Sequence, residues 1–109
     1  MSRAKGNIAE DRAEKFLYGS GFTTLERNFY SRFGEIDLIV LKDSVIHFVE
    51  VKSGLDYESA VQNITKTKIS RLIKTAHIYM KKNSLDVDFV FDAVIITPKN
   101  IEFVENITL

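Results

Sequence analysis

Residues 35–41 (Glu-Ile-Asp-Leu-Ile-Val-Leu) and 45–52 (Val-Ile-His-Phe-Val-Glu-Val-Lys) are apolar, β-rich runs with charged side chains at the ends remote from the break between them. Such runs persist only when paired in a sheet, and pairing assigns each charge to a face. The two-residue period of a strand puts Glu35, Asp37 and Ile39 on one face and Ile36, Leu38 and Val40 on the other. In the second run it groups Ile46, Phe48, Glu50 and Lys52. The break, Lys42-Asp43-Ser44-Val45, is short and polar enough for an antiparallel hairpin. With the turn centred on Asp43-Ser44, a two-residue or a four-residue loop gives one register, in which facing residue numbers sum to 87. Asp37 then faces Glu50, and Glu35 faces Lys52.

Side chains opposed on one sheet face have Cβ atoms roughly 4.5–5.5 Å apart, and like charges there are destabilising. Two carboxylates about 5 Å apart repel by on the order of 3 kcal/mol at an effective dielectric near 20. Either one is protonated or a cation lies between them. A divalent metal with oxygen ligands is the natural candidate.

With 45% hydrophobic and 28% charged residues, one proline and no cysteine, the 109 residues read as a soluble globular chain of a reducing compartment. One domain over residues 1–109 is expected, burying about two thirds of the surface of its unfolded chain. Without cysteine there are no disulfides and no thiolate metal sites. The first twenty residues carry Arg3, Lys5, Glu10, Asp11, Arg12, Glu14 and Lys15, too many charges for a signal peptide. No apolar run approaches the ~18 residues of a membrane span, so the expected location is cytoplasmic.

Fifteen basic and fifteen acidic residues cancel, yet they are segregated. No acid lies between Glu58 and Asp86, where Lys66, Lys68, Arg71, Lys74, Lys81 and Lys82 fall, while Asp86, Asp88, Asp92, Glu102 and Glu105 follow with Lys99 alone. One surface can be basic on a neutral molecule.

Residues 7–18 read as a helix, with Asn7 as N-cap, Glu10 in capping-box position, and Ala9, Ala13, Phe16 and Leu17 as the apolar stripe. Gly19-Ser20-Gly21 ends it. Residues 22–29 can form a first strand, with a bend at Phe33-Gly34 before the hairpin. Residues 54–63 read as a polar connection. Ile69, Leu72, Ile73, Ala76 and Met80 recur at helical spacing, which predicts a helix over 65–82 with its charges on the opposite face. Residues 89–97 form an apolar run, Asp92 excepted, as in a strand covered on both sides, and 101–104 a last short strand. The order is αβββαββ: an α/β fold with a mixed sheet of about five strands flanked by helices.

This order, with Gly34-Glu35-Ile36-Asp37-Leu38 followed thirteen positions later by Glu50-Val51-Lys52, resembles the PD-(D/E)xK nuclease superfamily. Within it the chain is similar to the YraN-like family of small bacterial proteins. Ala9-Glu10-x-x-Ala13-x-x-Phe16-Leu17, the segment 28–38, Phe48-Val49-Glu50-Val51-Lys52 and Lys68-x-x-x-Leu72-x-x-x-Ala76-x-x-Tyr79 carry the resemblance over most of the chain. It implies a restriction-endonuclease-like core. Asp37 and Glu50 would be the metal-binding carboxylates and Lys52 the catalytic lysine. Glu10 would be the further acid of the Holliday-junction-resolvase branch, and Lys68 would meet phosphate; Arg71 and Lys74 share its basic helix face and are read with it as candidate nucleic-acid contacts. Glu35 is read as a support of the site, as an ion-pair partner or as a further ligand. Mg²⁺ or Mn²⁺ fits this set, since Mg²⁺ takes one or two carboxylates, waters and phosphate oxygens. Two positions depart from the pattern: Ala9 stands where a glycine usually precedes the helix glutamate, and Gly54 where a basic residue often follows the lysine.

Each residue also has an ordinary structural reading. Glu10 can simply cap its helix, Lys52 can pair with Glu35 across the strands, and Lys68, Arg71 and Lys74 can be a solvated helix face. His47 and His77 are read as ordinary residues, His47 on the face opposite Glu50, and Asp92 as the holder of a buried hydrogen bond. The expected function is phosphodiester hydrolysis by a metal-dependent nuclease acting on DNA, branched or flapped substrates included. The alternatives are an RNA-directed endonuclease, a non-catalytic nucleic-acid-binding accessory module with a vestigial site, and a protein-interaction domain. So small a chain offers little surface for substrate selection, which leaves room for a homodimer or a protein partner.

Overall fold

A computed structural model describes residues 2–108, with side chains described over 8–108. The elements are α1 (Ser2–Gly19), β1 (Thr23–Ser31), β2 (Gly34–Lys42), β3 (Val45–Ser53), α2 (Tyr57–Val61), α3 (Lys66–Lys82), β4 (Phe89–Ile96) and β5 (Ile101–Val104). The strands form one mixed sheet in the order β1-β2-β3-β4-β5, antiparallel except for the parallel pair β3–β4. That exception follows from α2 and α3, because a crossover carrying helices brings the chain back to start β4 at the end where β3 started.

The helices lie on both faces of the sheet. Ala13 and Leu17 of α1 pack with Phe22, Leu38, Val40, Val49, Val51, Val94 and Ile96. Leu72, Ala76, Tyr79 and Met80 of α3 cover Phe29, Ile36, Ile39, Ile46, Phe48 and Phe91. Ala60 of α2 joins Ala93 and Ile95 in a third cluster. Clad on both faces, β4 is buried from Phe91 through Ile96, as its nearly unbroken apolar run predicts.

Three local features differ from the sequence expectation. The first helix begins at Ser2, so Asn7 lies inside it rather than at its N-cap, and Glu10 is not part of a capping box. Arg3, Ala4 and Lys5 are good helix formers that carry the helix past Gly6. The connection after β3 holds the short helix α2, capped by Asp56, whose carboxylate accepts the Ser59 N–H at 2.8 Å. Thr65 caps α3 instead of starting it, its hydroxyl accepting the Lys68 N–H at 3.2 Å.

The hairpin has the shorter of the two loops. Asp43 and Ser44 both take positive φ, 52° and 66°, as in the type I′ turn that suits strand twist. Pairs run from Lys42↔Val45 to Leu38↔Val49, each summing to 87, and the ladder stops there. Beyond it the strand phase changes. Ile36 packs in the α3 cluster and Leu38 in the α1 cluster, although strict alternation would place them together. The break falls at Asp37. In β1, Asn28 lies between the pairs Arg27↔Leu38 and Phe29↔Ile36 with φ 53°, a left-handed conformation that asparagine tolerates better than most residues. Both strands therefore kink side by side.

Candidate functional site

The kink and the end of the β2–β3 ladder open a cavity of about 330 Å³ between the strands and the two long helices. Glu10 from α1, Glu35 and Asp37 from β2, Glu50 and Lys52 from β3, and Lys68 and Arg71 from α3 all line it. The structure thus brings together seven of the eight residues singled out in the sequence. Lys74 stands outside the lining, its Nζ 5.2 Å from the centre of the Phe33 ring at the mouth.

Asp37 is buried, and its Oδ2 accepts the Val51 N–H at 2.8 Å, so a side chain takes a backbone donor just past the end of the ladder. Burial raises the Asp37 carboxyl, the neighbouring Glu50 charge raises it further, and the Val51 N–H offsets only part, leaving it at about 8 against an ordinary 3.8. The two acids also share a hydrogen bond, and the charge of Glu10 adds to the effect. At neutral pH Asp37 therefore keeps its proton unless a further cation enters. Lys52 Nζ lies 3.2 Å from Glu50 Oε1. Neither expected strand pair forms, because pairing ends at Leu38↔Val49: Asp37 meets Glu50 beyond the ladder, with its carboxyl on the Val51 N–H, and Glu35 turns to Asn28 instead of Lys52.

Asn28 and Arg27 are supports that sequence reading missed. The Asn28 amide donates to Glu10 Oε1 at 3.0 Å and to Glu35 Oε2 at 3.2 Å, holding two acids with one side chain. Arg27 reaches α1 at Asp11 (2.6 Å), Glu14 (3.1 Å) and Glu10 (3.4 Å). The Asp11 hydrogen bond raises its pKa and burial opposes that rise. An asparagine inside a β-run, where its propensity is poor, was the available signal. Among the described residues no group of three or more His, Cys, Asp or Glu side chains is arranged to hold a metal. Asp37 and Glu50 form a two-carboxylate set, and Glu10 Oε1 is engaged by Arg27 and Asn28.

Packing accounts for Gly54. A Cβ there would lie 3.2 Å from the Ala60 nitrogen and 3.3 Å from its Cβ, so a side chain at this position would need α2 to give by a few tenths of an ångström. His47 lies opposite Glu50 as expected, edge-on to Phe22, with Nδ1 paired to Asp92. Buried Asp92 also accepts the Asn106 N–H at 2.8 Å, the buried hydrogen bonding its sequence context suggests.

The model of an uncharacterised protein family, UPF0102, matches residues 9–96, a span that contains the whole cavity lining. The chain belongs to this family. UPF0102 is the YraN-like family to which the motifs pointed. A UPF0102 protein of Sulfurimonas denitrificans is 65% identical over 109 residues, covering 100% of both chains. One of Wolinella succinogenes is 50% identical over the same full span. One of Helicobacter hepaticus is 49% identical over 108 residues, 99% of this chain and 97% of its own. No described helix is long and apolar enough to cross a membrane.

Proposed function

We propose that this UPF0102 protein is a divalent-metal-dependent nuclease of the PD-(D/E)xK type, hydrolysing phosphodiester bonds of DNA. One observation carries the reading: two neighbouring carboxyls, one held near pKa 8 by burial and by the other, share a cavity with the Lys52 ammonium, 3.2 Å from Glu50. Among the described residues only Lys52 lies within ion-pair distance of Asp37 or Glu50, so a divalent cation between the two carboxyls would supply the charge they lack. Asp37 and Glu50 would hold Mg²⁺ or Mn²⁺, with the Val51 carbonyl, since a strand residue directs its N–H and C=O to the same side and the Val51 N–H already points at Asp37. Bound there, the ion would neutralise phosphate charge and make a water more acidic.

The remaining work falls to the chain itself. Lys52 presents its ammonium to the charge that develops on the phosphoryl oxygens. Lys68 and Arg71 at the rim hold flanking phosphates, and Glu10 with Glu35, fixed by Asn28, keeps the acidic wall in place. Water adds to phosphorus and releases a proton to solvent, the bond to the leaving sugar oxygen breaks, and that oxygen takes a proton from solvent, so one water is consumed for each bond cut. The test incubates labelled single-stranded, duplex and branched DNA, and structured RNA, with and without Mn²⁺. Cleavage that needs Mn²⁺ and is lost in Lys52→Ala is expected; cleavage indifferent to Lys52→Ala sinks the mechanism. Mn²⁺ is also expected to raise the Tm of the wild type but not of an Asp37→Asn, Glu50→Gln double variant.

A further inference from the structure

Phe33 belongs to none of the three core clusters, yet it lines the cavity beside the carboxylates. It sits in the tight turn between β1 and β2, with the Arg32 guanidinium 4.9 Å and the Lys74 ammonium 5.2 Å from its ring centre. The turn is fixed rather than loose. Ser31 Oγ accepts the Phe33 N–H at 3.0 Å and shares a 2.8 Å hydrogen bond with the buried Thr75 hydroxyl of α3. Gly34, at φ 149°, supplies a conformation that other residues rarely adopt. Among the described residues, no carboxylate lies within ion-pair distance of Arg32, Lys68, Arg71 or Lys74. An aromatic ring is therefore pinned at the mouth of an acidic cavity amid four uncompensated cations.

We propose that Phe33 is a stacking platform for an unpaired base next to the scissile phosphate, with Arg32 and Lys74, whose cationic groups lie over the ring in the free protein, leaving it to meet the phosphates on either side of that nucleotide. This inference rests on the nuclease reading and narrows its substrate. Aromatic rings stack on bases of any identity, and neighbouring cations track the backbone. A base inside a continuous duplex already has both faces stacked, so only an unpaired or frayed nucleotide can use the ring. The protein is then selective for single-stranded segments, such as flaps and frayed ends, over blunt duplex.

The experiment measures binding by fluorescence anisotropy in EDTA, apart from cleavage, using a single-stranded DNA, the same sequence in RNA, a forked duplex and a blunt duplex. Wild type is expected to favour the single-stranded and forked probes, the RNA arm showing whether the sugar matters. Phe33→Ala should weaken those probes about 5- to 100-fold and leave blunt duplex unchanged. Phe33→Trp should restore binding, and an unchanged Tm in both variants would show an intact fold. Stacking carries no charge, so Phe33→Ala should keep the salt slope, whereas Lys74→Ala should lower it by about 0.7 on a single strand. Tailed and blunt probes bound alike by wild type, or weakened alike by Phe33→Ala, would overturn the inference while leaving the nuclease reading intact. Absence of binding to every probe would remove both.

Discussion

Asp37 concentrates the electrostatics of the cavity in one carboxyl. Its ordinary value is 3.8 and its folded value about 8. Below about pH 4 both folded and unfolded chains carry the proton, and between about 4 and 8 the folded chain keeps it while the unfolded chain has lost it. Stability of the metal-free protein is therefore greatest on the acid side of this window, falls as pH rises through it by at most about 1.4 kcal/mol per unit, and levels off above it. Asp37→Asn should flatten that slope in urea unfolding followed in EDTA from about pH 5 to about pH 9; a slope unchanged in the variant would put the titration on another group. Asn28 invites a second test. Asn28→Asp keeps a residue that tolerates positive φ but places a third negative charge against Glu10 and Glu35, where an amide now donates to both. A loss of about 1–3 kcal/mol at neutral pH is expected, smaller near pH 4, read from the urea midpoint.

The β2–β3 hairpin joins the site to the fold, because its turn sets the register that runs to Leu38↔Val49, next to Asp37 and Glu50. Asp43 and Ser44 occupy two left-handed positions, for which Asn-Gly is the better pair. Replacing both by Asn-Gly should stabilise the protein by about 0.5–1 kcal/mol, a rise of a few degrees in Tm by calorimetry, without moving the site. The hairpin, its register and α3 were legible in the sequence because each depends on local periodicity. The phase change at Asp37 and Asn28 was not, since it comes from two neighbouring strands bending together. Nor was α2, whose five residues carry too short a pattern to show. The start of α1 was misplaced because Asn7 matches a cap in sequence whether or not the helix extends before it.

At the scale of the whole molecule, a neutral chain separates its charges by construction. α3 exposes Lys68, Arg71 and Lys74 along one side, while Asp37, Glu50, Glu35 and Glu10 gather in the cavity or at its wall. Phosphates would meet the cations, and a metal would meet the acids. The simultaneous change of Lys68, Arg71 and Lys74 to Ala should lower the magnitude of the salt slope of duplex binding by about 2.7, at about 0.9 for each phosphate that a cation no longer neutralises. A slope unaltered by the triple change would show that this helix face does not touch the backbone.

The sequence by itself determined the hairpin, its register as far as Leu38↔Val49 and membership of the UPF0102 family, because strand alternation and motif spacing are properties of neighbouring residues. Tertiary structure alone decided how Asp37 and Glu50 meet beyond that register and what surrounds them. It ended the ladder so that Val51 bonds to a side chain, turned Glu35 from Lys52 to Asn28, closed the Gly54 position with α2, and pinned Phe33 against α3. These interactions join residues distant in sequence, such as Glu10 with Asn28 and Ser31 with Thr75. Their distances are set by how helices seat on a twisted sheet, which no local pattern encodes.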